Sequence, residues 1–304
     1  MVYTKHTIGI VKIMIGFNHI GRLGRSSNQM FQYAALRGIA ANAGVLKIYF
    51  FPTYILFNFF FTSAVAVAGV NFCFPYYKNA VDDGLGNDNR TELFDFLEMS
   101  SVNELNIQSI DSSRSIIQEE YFHYNKEVHE NCPDSVSLFG FFQSEKYFKN
   151  VENIIREDFT FKEDIRNPCQ EMMSELDGQV IGLHIRRKDY LTNPNHCALD
   201  ISYYEEALSR FPDDATVIVF SDDSAWCHDS GFFSEDRFLI AEDNSGYVDQ
   251  CLMSMCSDFI IANSSFSWWA AWLGNKGKVI APKRWFPTDD KDTSDIYCSG
   301  WEVI

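Results

Sequence analysis

Between residues 178 and 282 the chain alternates short β-branched runs with stretches of helical periodicity, and no other feature limits the fold so strongly. QVIGLHI, TVIVF, DFIIA and KVIAP are too short for helices and rich in Val and Ile, so they read as buried strands. ISYYEEALSRF and YVDQCLMSMC lie between them and carry apolar residues at helical spacing. Strands alternating with helices imply a parallel sheet covered on both faces. Such a sheet binds its ligand beyond the carboxyl ends of its strands.

Three of these strands end in polar clusters at that rim. The first runs into His184, Arg186, Arg187 and Asp189. Arginine offers a planar fork of donors that fits phosphate oxygens two at a time, so a pair of arginines suits a diphosphate. The second ends in Asp222 and Asp223, and a carboxylate can accept two N–H bonds from a guanine edge. The third ends in Asn263, Ser264 and Ser265 at a helix start, where free backbone N–H groups favour phosphate. Each cluster alone has a plainer explanation: an exposed Arg187–Asp189 ion pair, an Asp cap on the SAWCHD helix, or an ordinary strand–helix turn. Together they point to one ligand that needs cations, carboxylates and hydroxyls at once. Trp268 and Trp272, one helical turn apart in FSWWAAWLG, read as core rather than as a sugar platform, and Gly274 as the residue that ends their helix.

The first half is less regular. IGIVKIMIGF reads as a buried strand leading through a glycine loop, GRLGRSSNQM, into a helix that extends to Ala41. Glycines let a backbone turn tightly against a ligand, and Arg22, Asn28 and Gln29 add a cation and two amides. Arg25, Ser26 and Ser27 make the turn look overlong, as an insertion would. SIIQEEYFHY reads as strand-like, SLFGFFQSEKYF as mixed and KNVENIIREDF as a helix. KEDIRNPCQEMMSELDG is polar, contains a proline, and reads as the link between the halves. The expected architecture is α/β, with an N-terminal α/β domain over 1–165 and a C-terminal Rossmann-like domain over 178–304 facing a cleft.

Residues 48–70 carry no charge. That length could span a bilayer, but no second span accompanies it. ANAGV at 41–45 is echoed by AVAGV at 66–70, and removing residues 45–69 joins a helix to a strand. Segment 45–69 is therefore read as an aberrant insertion, with a buried apolar segment and a membrane span as the alternatives. The formal charge of −17 argues against nucleic acid as a partner. An anionic substrate would have to meet a local cluster of arginines. The eight cysteines form no CxxC pair and no zinc-like spacing with histidine, so no metal site is expected and most thiols should be buried.

Taken together these strings resemble the α1,2-fucosyltransferases of glycosyltransferase family 11. The likeness rests on GFFQSEKYF, GLHIRRKDYL, SYYEEAL, FSDDSAW, the run DQCLMSMCSDFIIANSSFSWWAAWLG, and PKRWF. With its insertion removed, GRLGNQMFQYA matches the family's first motif. The resemblance implies a GT-B fold of two Rossmann-like domains and GDP-β-L-fucose as donor. It implies metal-independent transfer with inversion to the 2-hydroxyl of a terminal galactose, without a cofactor. It places Arg186 on the diphosphate with Arg187 in support, His184 and Asp222 on guanine, and Ser264 and Ser265 at the phosphates, with Asn263 counted among the donor-binding residues. Arg22 and Asn28 would stand near the reacting sugar, and Asp189 is the candidate base. The family pattern carries glycine where Lys188 stands. Eukaryotic members work in the Golgi behind an N-terminal anchor that this chain does not display, and bacterial members are cytoplasmic. A non-catalytic GDP-fucose or glycan-binding protein is the rival reading, because the insertion interrupts the first loop.

Overall fold

A computed structural model describes residues 15–17, 20, 23–44, 49–50, 92–101 and 115–304. The N-terminal half is built on β1 (Ile15–Phe17), α1 (Ser26–Asn42), β2 (Tyr49–Phe50), α2 (Leu93–Phe96), β3 (Ser115–Gln118), α3 (Lys126–Glu130), β4 (Val136–Phe139) and α4 (Glu152–Asp158). Its four strands form a parallel sheet in the order β2-β1-β4-β3. β2 belongs to the 45–69 segment read as an insertion, yet it pairs with β1 through Gly16↔Tyr49 and Phe17↔Phe50. The rest of that segment lies outside the described residues, as do Gly21 and Arg22.

The C-terminal half comprises α5 (Glu163–Ser174), β5 (Val180–Ile185), α6 (Ile201–Leu208), β6 (Thr216–Ser221), α7 (Ser224–Asp229), β7 (Phe238–Ile240), α8 (Gly246–Met255), β8 (Asp258–Ile260), α9 (Ser265–Gly274), β9 (Val279–Ala281) and β10 (Glu302–Val303). The expected strands are present, joined by β7 and β10. The sheet is wholly parallel, in the order β10-β9-β8-β5-β6-β7. Counted from β5 this is the doubly wound order 3-2-1-4-5-6, with its switch point between β5 and β8. All six residues of β5 are buried, as a central strand covered on both faces requires.

Two expectations are corrected. The polar stretch read as a link contains the twelve-residue helix α5, which packs on α8. Glu163 and Asp164 favour its first turn, and Cys169 is its buried anchor. In α9, Gly274 is the last helical residue and Asn275 takes the left-handed conformation, at φ 49°. Gly274 is small for another reason: a Cβ there would stand 2.4 Å from the Phe259 ring.

The two halves share a core. Phe31 of α1 lies 4.5 Å from Trp268 and 4.8 Å from Trp269, measured between ring centroids. Phe148 stacks on Trp269 at 5.4 Å. Trp268 and Trp272 are buried, in accord with the core reading. Cys132, Cys169, Cys227, Cys251, Cys256 and Cys298 are buried free thiols. Among the described residues no helix is long and apolar enough to cross a membrane.

Candidate active site

Arg186 and Arg187 follow the end of β5, at the carboxyl rim of the sheet beside the exit of β6. Neighbouring residues of an extended chain point to opposite sides, and the two guanidinium groups diverge accordingly. Arg187 turns toward α7, where it lies 3.9 Å above the Trp226 ring and contacts Asp223 at 3.3 Å. Arg186 stays at the rim, pairing with Asp189 at 2.7 Å and with Asp222 at 3.1 Å. The other Asp222 oxygen accepts the backbone N–H of Arg187 at 2.8 Å. One carboxylate thus fixes both the strand end and the guanidinium beyond it. Asp223 occupies the position before α7, but its side chain makes no capping bond; the Arg187 contact replaces the expected cap. Lys188 has φ −36°, a right-handed conformation that does not demand glycine.

His184 points to the α9 side of the sheet. Its Nδ1 meets the Ser267 hydroxyl at 2.9 Å and its ring packs on Phe266. Burial, aided by the charge of Arg186, pushes its pKa down to about 3. It therefore offers a neutral ring, with one nitrogen already engaged. Ser264 caps α9, accepting the Phe266 N–H at 3.4 Å, and Ser265 opens the helix. Asn263 is turned into the fold: its amide donates to the carbonyls of Cys197 and Trp285 at 2.9 and 3.0 Å. Its amide donors are therefore engaged within the fold, whereas the sequence reading counts Asn263 among the donor-binding residues. Tyr190 completes this rim and was missed in the sequence. Its hydroxyl donates to the Asn263 carbonyl at 3.1 Å and its ring stacks on His196 at 4.4 Å. His196 has its pKa lowered by burial first, opposed by Asp189 and reinforced by Arg186 and Lys291.

The first loop is not the overlong turn its sequence suggests. Ser26 and Ser27 form the first turn of α1, with Arg25 at the N-cap. The Ser26 N–H donates to Glu92 Oε2 at 3.2 Å, so a carboxylate occupies that helix end. Tyr247 donates to the same oxygen at 3.0 Å. Ser27 is buried. Asn28 accepts from Gln143 Nε2 at 2.8 Å, which joins the first motif to FFQSEKYF. Among the described residues, no hydrogen bond or ion pair joins Asn28, Ser264 or Ser265 to Arg186.

A second missed group is Glu119, just past β3. Its two oxygens accept the N–H groups of Phe141 and Phe142 at 2.7 and 2.9 Å. Burial raises its pKa to about 7 against the lowering effect of those two bonds. Nothing in the QEEYFHY string signals this, because the donors come from the adjacent strand's exit.

The pattern of glycosyl transferase family 11 matches residues 97–304. The chain belongs to that family. An α-1,2-colitosyltransferase of Escherichia coli is 35% identical over 195 residues, covering 60% of this chain and 67% of that protein. The O-antigen biosynthesis glycosyltransferase WbnK of Escherichia coli is 34% identical over 180 residues, covering 54% and 59%. Galactoside α-(1,2)-fucosyltransferase 1 of Saimiri boliviensis boliviensis is 26% identical over 173 residues, covering 51% and 47%. The matches thus span roughly half to two thirds of these relatives. The crystal structure of fucosyltransferase NodZ from Bradyrhizobium superposes with a TM-score of 0.50 at 12% identity, over 88% of this chain and 95% of that one. This family 11 chain shares the α/β GT-B fold of such fucosyltransferases.

Proposed function

We propose that this family 11 chain moves L-fucose from GDP-β-L-fucose to the 2-hydroxyl of a terminal galactose, with inversion and without a metal. The observation that carries the reading is the Arg186 guanidinium at the carboxyl end of β5, held by Asp189 and Asp222. GDP leaves with growing negative charge on its diphosphate. A preorganised fork of donors stabilises that charge more than it stabilises the bound donor, which lowers the barrier. Asp189 and Asp222 hold the fork in place before the donor arrives. The diphosphate competes with Asp189, the more exposed of the two, for the Arg186 N–H groups. Asp189 then has an oxygen available to accept the proton of the acceptor hydroxyl. Asp222 reads the guanine edge, and Arg187 supports the strand end from the α7 side. Ser264 and Ser265 lie at a helix start suited to phosphate. Asn28 is assigned to the reacting sugar; Arg22, expected beside it from the sequence, lies outside the described residues.

The assay is transfer from GDP-fucose to lactose by the full chain and by Arg186→Ala. Transfer by the native protein and none by a variant with an unchanged melting temperature is expected. Native turnover in Arg186→Ala would overturn the assignment.

A second donor is favoured by the 35% identity to a colitosyltransferase. Colitose is the 3-deoxy counterpart of fucose, so GDP-fucose and GDP-colitose compared side by side decide between them. The non-catalytic reading is separated from both by donor hydrolysis or transfer, since binding of GDP is common to all three.

A further inference from the structure

Arg186 is gripped by two carboxylates, and both grips use N–H groups that a diphosphate would need. Asp189 stands 2.7 Å from Nη2 and Asp222 3.1 Å from Nη1. A diphosphate that takes these donors loosens the same bonds that aim the guanidinium. An anchor that survives its arrival has to hold the cation without occupying an N–H.

Tyr190 meets that requirement. The Arg186 Cζ lies over its ring, 5.4 Å from the centroid, within the range at which a guanidinium is attracted to an aromatic face. That attraction takes no N–H away from the fork. Asp189 and Tyr190 open one 3-10 turn, Asp189–Leu191, and the Leu191 N–H closes on the Arg187 carbonyl at 2.9 Å. Positions three and four beyond Arg186 come round to it together, as helical spacing requires.

The ring itself is fixed from two sides. His196 stacks on it with centroids 4.4 Å apart and planes 5° apart, and its hydroxyl donates to the Asn263 carbonyl at 3.1 Å. Burial raises the Tyr190 pKa to about 12, so the hydroxyl keeps its proton and remains a donor at neutral pH. Asn263 directly precedes Ser264, the cap of α9. Tyr190 therefore ties Arg186 to the loop that carries Ser264 and Ser265.

We propose that Tyr190 is a positioning residue for the diphosphate: its ring keeps the Arg186 guanidinium aimed once the donor has displaced Asp189, and its hydroxyl sets that aim relative to the start of α9. The proposal rests on the GDP-sugar donor reading above and goes beyond it by naming the group that holds the arginine in the bound state.

The test is GDP affinity of the full chain, by calorimetry, or by ligand NMR where binding is weak. Tyr190→Leu should bind GDP about 2- to 30-fold more weakly, the range of a cation–π contact. Tyr190→Phe keeps the ring and should recover most of that loss. In an Arg186→Ala background, Tyr190→Leu should add little, because the ring has no cation to hold; a residue that only supports the fold would weaken binding equally in both backgrounds. Tyr190→Met, which fills the space without a ring, replaces the leucine variant if that one does not fold. Native GDP affinity without the ring, or an equal loss in both backgrounds, overturns the positioning role and leaves the donor reading standing. Absence of GDP binding to the native protein overturns both. If the loss depends on Arg186 as described but no fucose or colitose is transferred to lactose, the positioning role stands and the transferase reading fails.

Discussion

Gln250 donates its side-chain amide to the Ser27 hydroxyl at 3.1 Å, across 223 positions of sequence and between two buried residues. The same nitrogen donates to the Phe266 carbonyl at 3.0 Å. It therefore ties the first turn of α1 to the start of α9. Ser27→Ala would leave one buried N–H without an acceptor, which costs about 1–3 kcal/mol. The expected result is a lower midpoint of denaturant unfolding with an unchanged slope. An unaltered midpoint would mean that the first turn of α1 is not seated on α8.

Much of the C-terminal half could be read directly from the residues. Strong β-branched runs and helical spacing locate β5, β6, β8 and β9, and a parallel sheet then dictates that Arg186 and Asp222 meet at one rim. What could not be read depends on partners distant in sequence. Asn263 is turned inward by the carbonyls of Cys197 and Trp285. Ser27 looked like part of an insertion because its partner lies in α8. Glu119 gains its character from two N–H groups beyond β4. The α5 helix was hidden by a polar composition and a proline within it.

Arg186 holds Asp189 and Asp222 through different nitrogens. Lysine keeps the charge but not the fork. Arg186→Lys should therefore bind GDP about ten- to a hundredfold more weakly, the loss of charge-assisted hydrogen bonds. Calorimetric titration with GDP measures this. Equal affinity would show that charge alone, not the planar geometry, serves the site.

Gly38 faces the 3-10 turn at Glu145–Tyr147, and a Cβ there would stand 1.8 Å from the Tyr147 carbonyl oxygen. That atom is backbone and cannot swing aside. Gly38→Ala should therefore destabilise the fold by about 1–3 kcal/mol despite alanine's better helix propensity. Thermal melting of the variant measures it. A rise in melting temperature would refute the close approach.

His184 and Glu119 give the fold two opposed pH dependences. The pKa of His184 falls from 6.5 to about 3 on folding, through burial first and Arg186 second. As pH drops below 6.5, the unfolded chain takes up a proton that the folded chain refuses, so stability falls with acidification through that window. Glu119 moves the other way, from 4.5 to about 7, because burial disfavours its charge. Between those values the folded chain keeps a proton that the unfolded chain releases, so stability falls as pH rises. The windows overlap from 4.5 to 6.5, where each group contributes a slope of up to about 1.4 kcal/mol per pH unit, with opposite sign. The two contributions therefore offset in the native protein. Glu119→Gln removes one of them, and its unfolding free energy should climb from pH 5 to 6.5 more steeply than the native value. His184→Gln removes the other, and its unfolding free energy should decline relative to the native protein over the same range. Denaturant unfolding of the three proteins at pH 5, 5.5, 6 and 6.5 resolves the slopes, and parallel curves for all three would remove both residues from the pH response.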